Sequence, residues 1–462
     1  MRKLLVSSFV AVATLLAGCV VGPNYKRPAV AVPSAYRGAT PSSAASLGNE
    51  KWWQVFHDPV LEKLIHTAIA QNYDVRIAAT RVVEAQAQLG ITRSNEFPEA
   101  SLSAGLFTQQ NPKVSKVFPS FEENAGKLSL SVVWDLDFWG KYRRETEAAR
   151  AQMLASQWGQ RAVLASVVAS VATAYFQLRA LDAEMAIAKS TLASRQDSLR
   201  LKQVLEKNGS ASLLEVSEAQ QLVSAAAEAI PSLESQIAQQ EDLLSILLGQ
   251  NPGPIPRGVE LTAQYEPAQI PAGLPSELLD RRPDIREAEQ NLVAANADIG
   301  VLKAALFPDI SLTGTGGLES YALNRFISGP SELWDAGVNV TQPIFQAGAL
   351  RSGLKLARAQ YQQMLLSYQQ AILSAFGQVS ETLVAYQKNR EFTVQQQQLV
   401  SAADEANHLS RILYSHGGAS YLQVLTSETS AFAAELNLVQ AQLNERLALV
   451  QLYQALGGGW QQ

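Results

Sequence analysis

Residues 284–312 read DIREAEQNLVAANADIGVLKAALFPDISL, and 210 positions earlier residues 74–102 read DVRIAATRVVEAQAQLGITRSNEFPEASL. The two stretches share Asp74/Asp284, Arg76/Arg286, Val83/Val293, Ala85/Ala295, Gly90/Gly300, Phe97/Phe307, Pro98/Pro308, Ser101/Ser311 and Leu102/Leu312. In both, a helix-like run rich in Ala and Glu ends near a Phe-Pro pair, and an alternating, strand-like run follows at once. A second correspondence lies at an offset of 208, where GSASLLEV at 209–216 answers GGASYLQV at 417–424. An offset kept across most of a half marks a unit of roughly two hundred residues duplicated in tandem, not a multi-domain enzyme. The chain divides accordingly into residues 1–18, 19–50, a first copy at 51–248, a connector at 249–276 and a second copy at 277–462.

Composition narrows the class. The chain has 462 residues, a formal net charge of -5 and 47% hydrophobic residues, with a mean hydropathy of -0.02. Nothing in that balance suggests a nucleic-acid partner. Beyond the N-terminus no run of eighteen apolar residues occurs, which removes spanning helices but leaves spanning strands open. Cys19 is the single cysteine, so no internal disulfide or Cys-based metal site is expected. His57, His66, His408 and His416 are scattered without a carboxylate or Cys arrangement that would make a ligand set. No Met or His row suggests metal as the cargo.

The N-terminus reads as an address. Arg2 and Lys3 precede the apolar run 4–16, which ends in Leu16-Ala17-Gly18-Cys19. A charged region, an apolar core and a small-residue cleavage site form a secretory signal. The last four residues resemble the lipobox of bacterial lipoproteins, which implies a covalent lipid on Cys19 as residue one of the mature chain, and no other cofactor. Val20 follows, and by the same resemblance the lack of an Asp after the cysteine favours the outer membrane. Residues 21–50, with Pro23, Pro28 and Pro33, read as an extended tether.

Within the first copy, residues 59–72 predict a helix with Leu61, Leu64, Ile65 and Ala68 on one face, and a second helix covers about 74–95. Strands are expected at about 100–109 and 127–138. In the latter, Leu128, Leu130, Val132, Trp134, Leu136 and Phe138 alternate with Ser129, Ser131, Val133, Asp135 and Asp137. Period two marks a sheet with one apolar and one polar face, and such lengths suit a bilayer crossing of about 9–11 residues. From 141 to 207 there is no proline and only Gly159. A helix over that run reaches about 100 Å. Leu164, Val171, Leu178, Met185, Leu192 and Leu199 recur every seventh residue, with Val167, Ala174, Leu181 and Ala188 as a companion row. That period keeps a seam against neighbouring helices. Asn208-Gly209 stops the helix, and another returns over 211–248 with Pro231 as an expected kink or break.

The Pro/Gly-rich connector carries the chain to the second copy, where the plan repeats. A helix starts near Pro283, strands are expected at about 309–317 and 337–345, and a long helical hairpin spans 348–456. Its heptad (Ile372, Val379, Tyr386, Thr393, Val400) is looser and its seam wetter. The fold class is therefore mainly α with a transmembrane β part: four amphipathic strands and two long helical hairpins per chain. Four strands cannot close, and an open sheet edge is not tolerated in lipid. Three copies supply twelve strands, an even number within the range of outer-membrane barrels, and their hairpins pack into a second tube continuous with the first.

The lipobox, Gly22-Pro23-Asn24-Tyr25-Lys26-Arg27-Pro28, Arg282-Pro283-Asp284-Ile285, Phe307-Pro308 and Ala455-Leu456-Gly457-Gly458-Gly459-Trp460 resemble the outer-membrane factor lipoproteins, the TolC-like exit ducts of tripartite efflux pumps. The resemblance covers the mature chain nearly end to end. It implies a homotrimer with a twelve-strand β-barrel in outer-membrane lipid and a periplasmic α-barrel, with the connector at its equator. It also implies a periplasmic adaptor (membrane fusion) protein and an inner-membrane transporter of the resistance-nodulation-division (RND) class. The duct itself catalyses nothing.

Resemblance also locates a gate. The family often closes its periplasmic end with a Leu-Asp-Ala-Glu/Gln-Arg-Ser pattern past the second hairpin tip. Here the stretch is Leu425-Thr426-Ser427-Glu428-Thr429-Ser430, with Thr426 for the acid and Thr429 for the arginine. Leu422 keeps the place of an apolar constriction, and Leu214 and Glu218 correspond in the first copy. Two readings of Glu218 stand: a ring of like charges that favours opening or cation binding, or a solvated helix face. The small, open tips Gly209-Ser210-Ala211 and Gly417-Gly418-Ala419 are implied to dock the adaptor, although a helix turn needs glycine in any case. Among rivals, a diffusion porin needs more strands, a structural lipoprotein needs no half-polar strands, and an enzyme needs a convergent polar cluster that is not visible.

Overall fold

The computed structural model describes residues 20–38, 46–110, 122–264, 270–320, 326–327 and 331–460. Cys19, and with it the lipobox, lies outside the described residues. In chain order the helices and strands are α1 (Trp52–Phe56), α2 (Pro59–Gln71), α3 (Tyr73–Ser94), β1 (Glu99–Gln110), β2 (Glu122–Asp135), α4 (Lys141–Lys207) and α5 (Leu213–Leu247). The second series is α6 (Pro275–Arg281), α7 (Pro283–Ala304), β3 (Asp309–Ser320), β4 (Glu332–Thr341), α8 (Ala349–Ser415) and α9 (Tyr421–Ala455). The two long helices are each 67 residues and the two returning helices each 35. Equal lengths in the two copies are what a duplication leaves behind.

The chain forms two compact units. The first takes residues 81–156 and 287–368 with the start of the tether, and holds the sheet. Its strands run in the order β1-β2-β3-β4, each antiparallel to the next. The register stacks Leu102, Leu130, Gly316 and Trp334 across one face, and Ser101, Ser131, Thr315 and Asp335 across the other. Leu102 is 72% exposed and Trp334 81% exposed. On the polar face the hydroxyls of Ser103 and Ser129 share a hydrogen bond of 2.9 Å. An apolar face left exposed among the described residues, backed by a hydroxyl-lined one, follows from the period-two pattern.

Two strands are shifted towards the N-terminus relative to the sequence reading, and β3 runs three residues further, to Ser320. The strand expected at 127–138 occupies Glu122–Asp135, and the one expected at 337–345 occupies Glu332–Thr341. Pro343 lacks a ladder donor, so Ile344 and Phe345 stand outside the strand. Residues 309–318 of β3 then find partners upstream, Leu318 opposite Glu332 and Gly316 opposite Trp334.

The tether lies against the same unit. Val21 N–H donates to the Trp139 carbonyl at 2.9 Å, and Asn296 Nδ2 donates to the Pro23 carbonyl at 2.9 Å. Asn24 Oδ1 accepts from Arg144 at 2.8 Å, and Arg27 meets Glu289 at 3.0 Å. Gly22 has φ +113°, and a Cβ there would stand 2.5 Å from Gly300 Cα. A Cβ on Gly300 would in turn stand 2.9 Å from the Arg144 side chain, so both glycines make room at this contact.

The second unit takes residues 30–80, 157–286 and 369–462. Leu61, Leu64, Ile65 and Ala68 of α2 are buried together, as their spacing requires. Its N-cap, Asp58, accepts from the backbone N–H of Val60 (2.9 Å), Leu61 (3.2 Å) and Val259 (3.0 Å), from Tyr175 Oη (2.9 Å) and from Gln264 Nε2 (3.0 Å). Burial alone raises the Asp58 pKa, but these donors outweigh it and hold the carboxyl below its ordinary range. On α4, Val171, Leu178 and Met185 of the heptad row and Val167, Ala174 and Ala188 of its companion are buried. One 18-residue window of α4 reaches a mean hydropathy of 1.4, but 56% of it is buried within the protein. Pro231 sits inside an uninterrupted α5 where a kink or break was expected. The connector ends sooner than its Pro/Gly density predicts, because Pro275 opens α6 and buries Leu278.

Candidate functional site

The ends of the two hairpins form the site. Asn208 and Gly209 end the first turn and His416 and Gly417 the second; Gly209 (φ +75°) and Gly417 (φ +76°) adopt the left-handed conformation that glycine tolerates. Ser212 and Ser420 then cap the returning helices, accepting from the N–H of Glu215 (3.2 Å) and Gln423 (3.3 Å). Gly209, Ser210, Gly417 and Gly418 are exposed, and Ala211 and Ala419 half-buried. Behind the turns, Leu199, Ala219, Tyr421, Val424 and Leu425 form a small core with Val216, Leu222, Val223 and Tyr414.

Charge enters this core at Lys202, which is 3% exposed. Its Nζ lies 2.8 Å from Glu215 Oε2 and donates to the Tyr414 hydroxyl, which donates in turn to Glu215 at 2.9 Å. The ammonium also sits over the rings of Tyr414 (3.9 Å to the centroid) and Tyr421 (3.7 Å). Cation–ring contacts gain strength where water is excluded. The hydrogen bond from Lys202 holds the Glu215 carboxyl below its ordinary pKa, against a smaller opposing effect of burial. Burial and nearby carboxylates push Tyr421 up to about 12. One residue from each of α4, α5, α8 and α9 thus meets in a single latch.

The residues chosen from the sequence fall elsewhere. Leu214 (67% exposed) and Leu422 (64%) present apolar side chains to the outside, and Glu218 is half-buried. Thr426 donates to the Leu422 carbonyl at 2.9 Å and Thr429 to the Leu425 carbonyl at 2.8 Å, each within its own helix. Both threonine protons are therefore spent locally. Glu428, between them, is buried and pairs with Arg411 at 2.8 Å. Sequence reasoning missed Lys202, Glu215, Tyr414, Tyr421 and Glu428. A signal existed for one: the companion row 167, 174, 181, 188 reaches 195 and 202 at the same spacing, and both positions are cationic. Among the described residues no group of three or more His, Cys, Asp or Glu side chains is placed to hold a metal ion.

Residues 64–250 and 274–458 each match the model of the outer membrane efflux protein family. The chain belongs to that family. As a member it is a transport duct of the Gram-negative outer membrane, the exit component of tripartite efflux pumps, and not an enzyme. It is 34% identical over 455 residues to the cation efflux system protein CusC of Escherichia coli, covering 98% of each chain. It is 32% identical to SilC of Salmonella typhimurium, a probable outer membrane lipoprotein, over 96% of this chain and 97% of that one. The open state of the MtrE outer membrane channel of Neisseria gonorrhoeae superposes with a TM-score of 0.87 at 30% identity, over 96% of this chain and 99% of that one. The two family matches divide the efflux protein where the internal repeat divides it.

Proposed function

We propose that this efflux protein works as a homotrimer whose twelve strands close a barrel, with Cys19 lipidated and a gate at the hairpin ends. The observation that carries the reading is the sheet. Among the described residues β1 pairs only with β2 and β4 only with β3, while the apolar face is exposed. Lipid cannot satisfy the two free edges, so other copies of the chain must. Three copies are the number that the family resemblance implies. Lipidation rests on the lipobox and on the likeness to SilC.

The gate combines Leu214 and Leu422 as apolar rings, Glu218 as a carboxylate ring beside them, and Thr426 and Thr429 as polar but uncharged neighbours. The Lys202–Glu215–Tyr414–Tyr421 latch holds the two hairpins of a protomer together. Gly209, Ser210, Ala211, Gly417, Gly418 and Ala419 form the surface for a periplasmic adaptor, itself coupled to an RND-type inner-membrane transporter that supplies the energy. The test is single-channel conductance of the purified protein in a planar bilayer, with its mass in detergent. Small, cation-biased, mostly closed channels from a trimer support the duct. A stable monomer without conductance leaves a structural lipoprotein instead. Glu218→Gln should reduce cation selectivity; an unchanged selectivity assigns Glu218 to a solvated face.

A further inference from the structure

Seven residues before Lys202 on the same seam, Arg195 is 5% exposed but lacks a matching partner. Its Nη1 donates to the Leu222 carbonyl of α5 at 2.9 Å, and its guanidinium lies 5.1 Å from the Phe432 ring of α9. Its Nε is buried without a hydrogen-bond acceptor. A buried orphan donor of a charged group is costly and demands a reason. Glu428 is the countercharge whose field acts on Arg195, against the larger effect of burial. Yet the Glu428 carboxylate is bonded elsewhere, to Arg411 of α8 at 2.8 Å. Arg411 is 45% exposed and reaches Ser194 Oγ at 3.4 Å. Arg195, Arg411 and Glu428 line one cleft of about 220 Å³, together with Asn407, whose Oδ1 is also buried without a partner. That volume far exceeds what one water needs, roughly 15 Å³, so a side chain has room to turn.

We propose that Glu428 is an exchangeable gating carboxylate, paired with Arg411 in the state seen here and with the orphan Nε edge of Arg195 when the duct opens. The proposal rests on the duct reading. In the first pairing α9 is tied to α8 of its own hairpin; in the second it is tied to α4 of the other. Arg411, 45% exposed, returns to water when released, whereas the 5% exposed Arg195 gains an acceptor for its orphan Nε. Glu428 never stands without a guanidinium. Two discrete pairings of one buried charge make the kind of bistable element that gating requires.

The two arginines must then act with opposite sign on channel opening. Arg195→Met removes the open-state partner and should lower open probability about tenfold, while Arg411→Ala removes the resting partner and should raise it about tenfold. In a Glu428→Gln background both substitutions should lose their effect. Trimer melting in detergent provides the structural control, since a purely structural role lowers melting in both arginine variants and gives no opposed sign in the channel. Should Arg195→Met fail to assemble, Arg195→Lys, which keeps the charge but loses the two-donor edge, is expected to lower opening as well. Shifts of the same sign, reversed signs, or no shift in a conducting trimer overturn the exchange and leave the duct standing. A wild-type protein without conductance removes the duct, and this proposal with it.

Discussion

Lys202 places a cation where four earlier residues of the same seam row are apolar, and it is stable there because Glu215, Tyr414 and Tyr421 surround it. Removing the countercharge alone is therefore worse than removing the pair. Glu215→Gln should cost roughly 3 kcal/mol of latch stability and raise open probability at least tenfold, read from single-channel records. The pH dependence has the same origin. Because the folded Glu215 pKa is depressed, its stabilisation is present above the ordinary carboxylate range and lost as pH falls through the folded pKa. Opening should increase on acidification below about pH 4.5, and that increase should vanish in Glu215→Gln. Asp58 obeys the same sign. Its five donors include two at the start of α2, so Asp58→Ala should lower stability by roughly 2–4 kcal/mol. Thermal unfolding followed by circular dichroism measures it.

At the level of the element, the strands were the easiest to read and the hardest to delimit. Alternation of Leu128, Leu130 and Val132 with Ser129 and Ser131 is visible in the chain, and the register keeps the two sets on opposite faces. Limits depend instead on the partner strand, which is why β4 lies five residues before its expected start. Gly317 is a case in point. A Cβ there would approach the Leu128 carbonyl oxygen to 2.1 Å and Ser129 Cα to 2.7 Å, both backbone atoms of the facing strand. Gly317→Val should therefore break the β2–β3 pairing and abolish barrel assembly, seen as loss of the oligomer band in semi-native electrophoresis. Gly316 has open space at the same point and should accept alanine with little effect. The long helices were legible from the absence of Pro and the single Gly159 between 141 and 207 and from the seven-residue repeat. Pro231 does not break its helix, because a proline removes one donor and strains one turn, a loss that the rest of a 35-residue helix can absorb.

For the whole molecule, the decisive property is incompleteness: among the described residues the sheet ends in two unpaired edges. Deleting β4 by replacing Glu332–Thr341 with a short Gly/Ser turn should leave an odd-edged protomer that binds detergent but yields no trimer mass by light scattering. The duplicated grammar, the half-polar strands and the heptad seams are all properties of local order along the chain, and the sequence by itself determined them. So were the exposed tips, since Gly209 and Gly417 are required by the turns themselves. The latch and the Glu428 cleft were not legible. Their members are far apart along the chain, 219 residues between Lys202 and Tyr421 and 233 between Arg195 and Glu428, and a buried charge is tolerable only when its partner arrives from another helix. Periodicity records which face of a helix turns inward; which side chains meet there is decided by how four helices pack, and only the tertiary structure holds that.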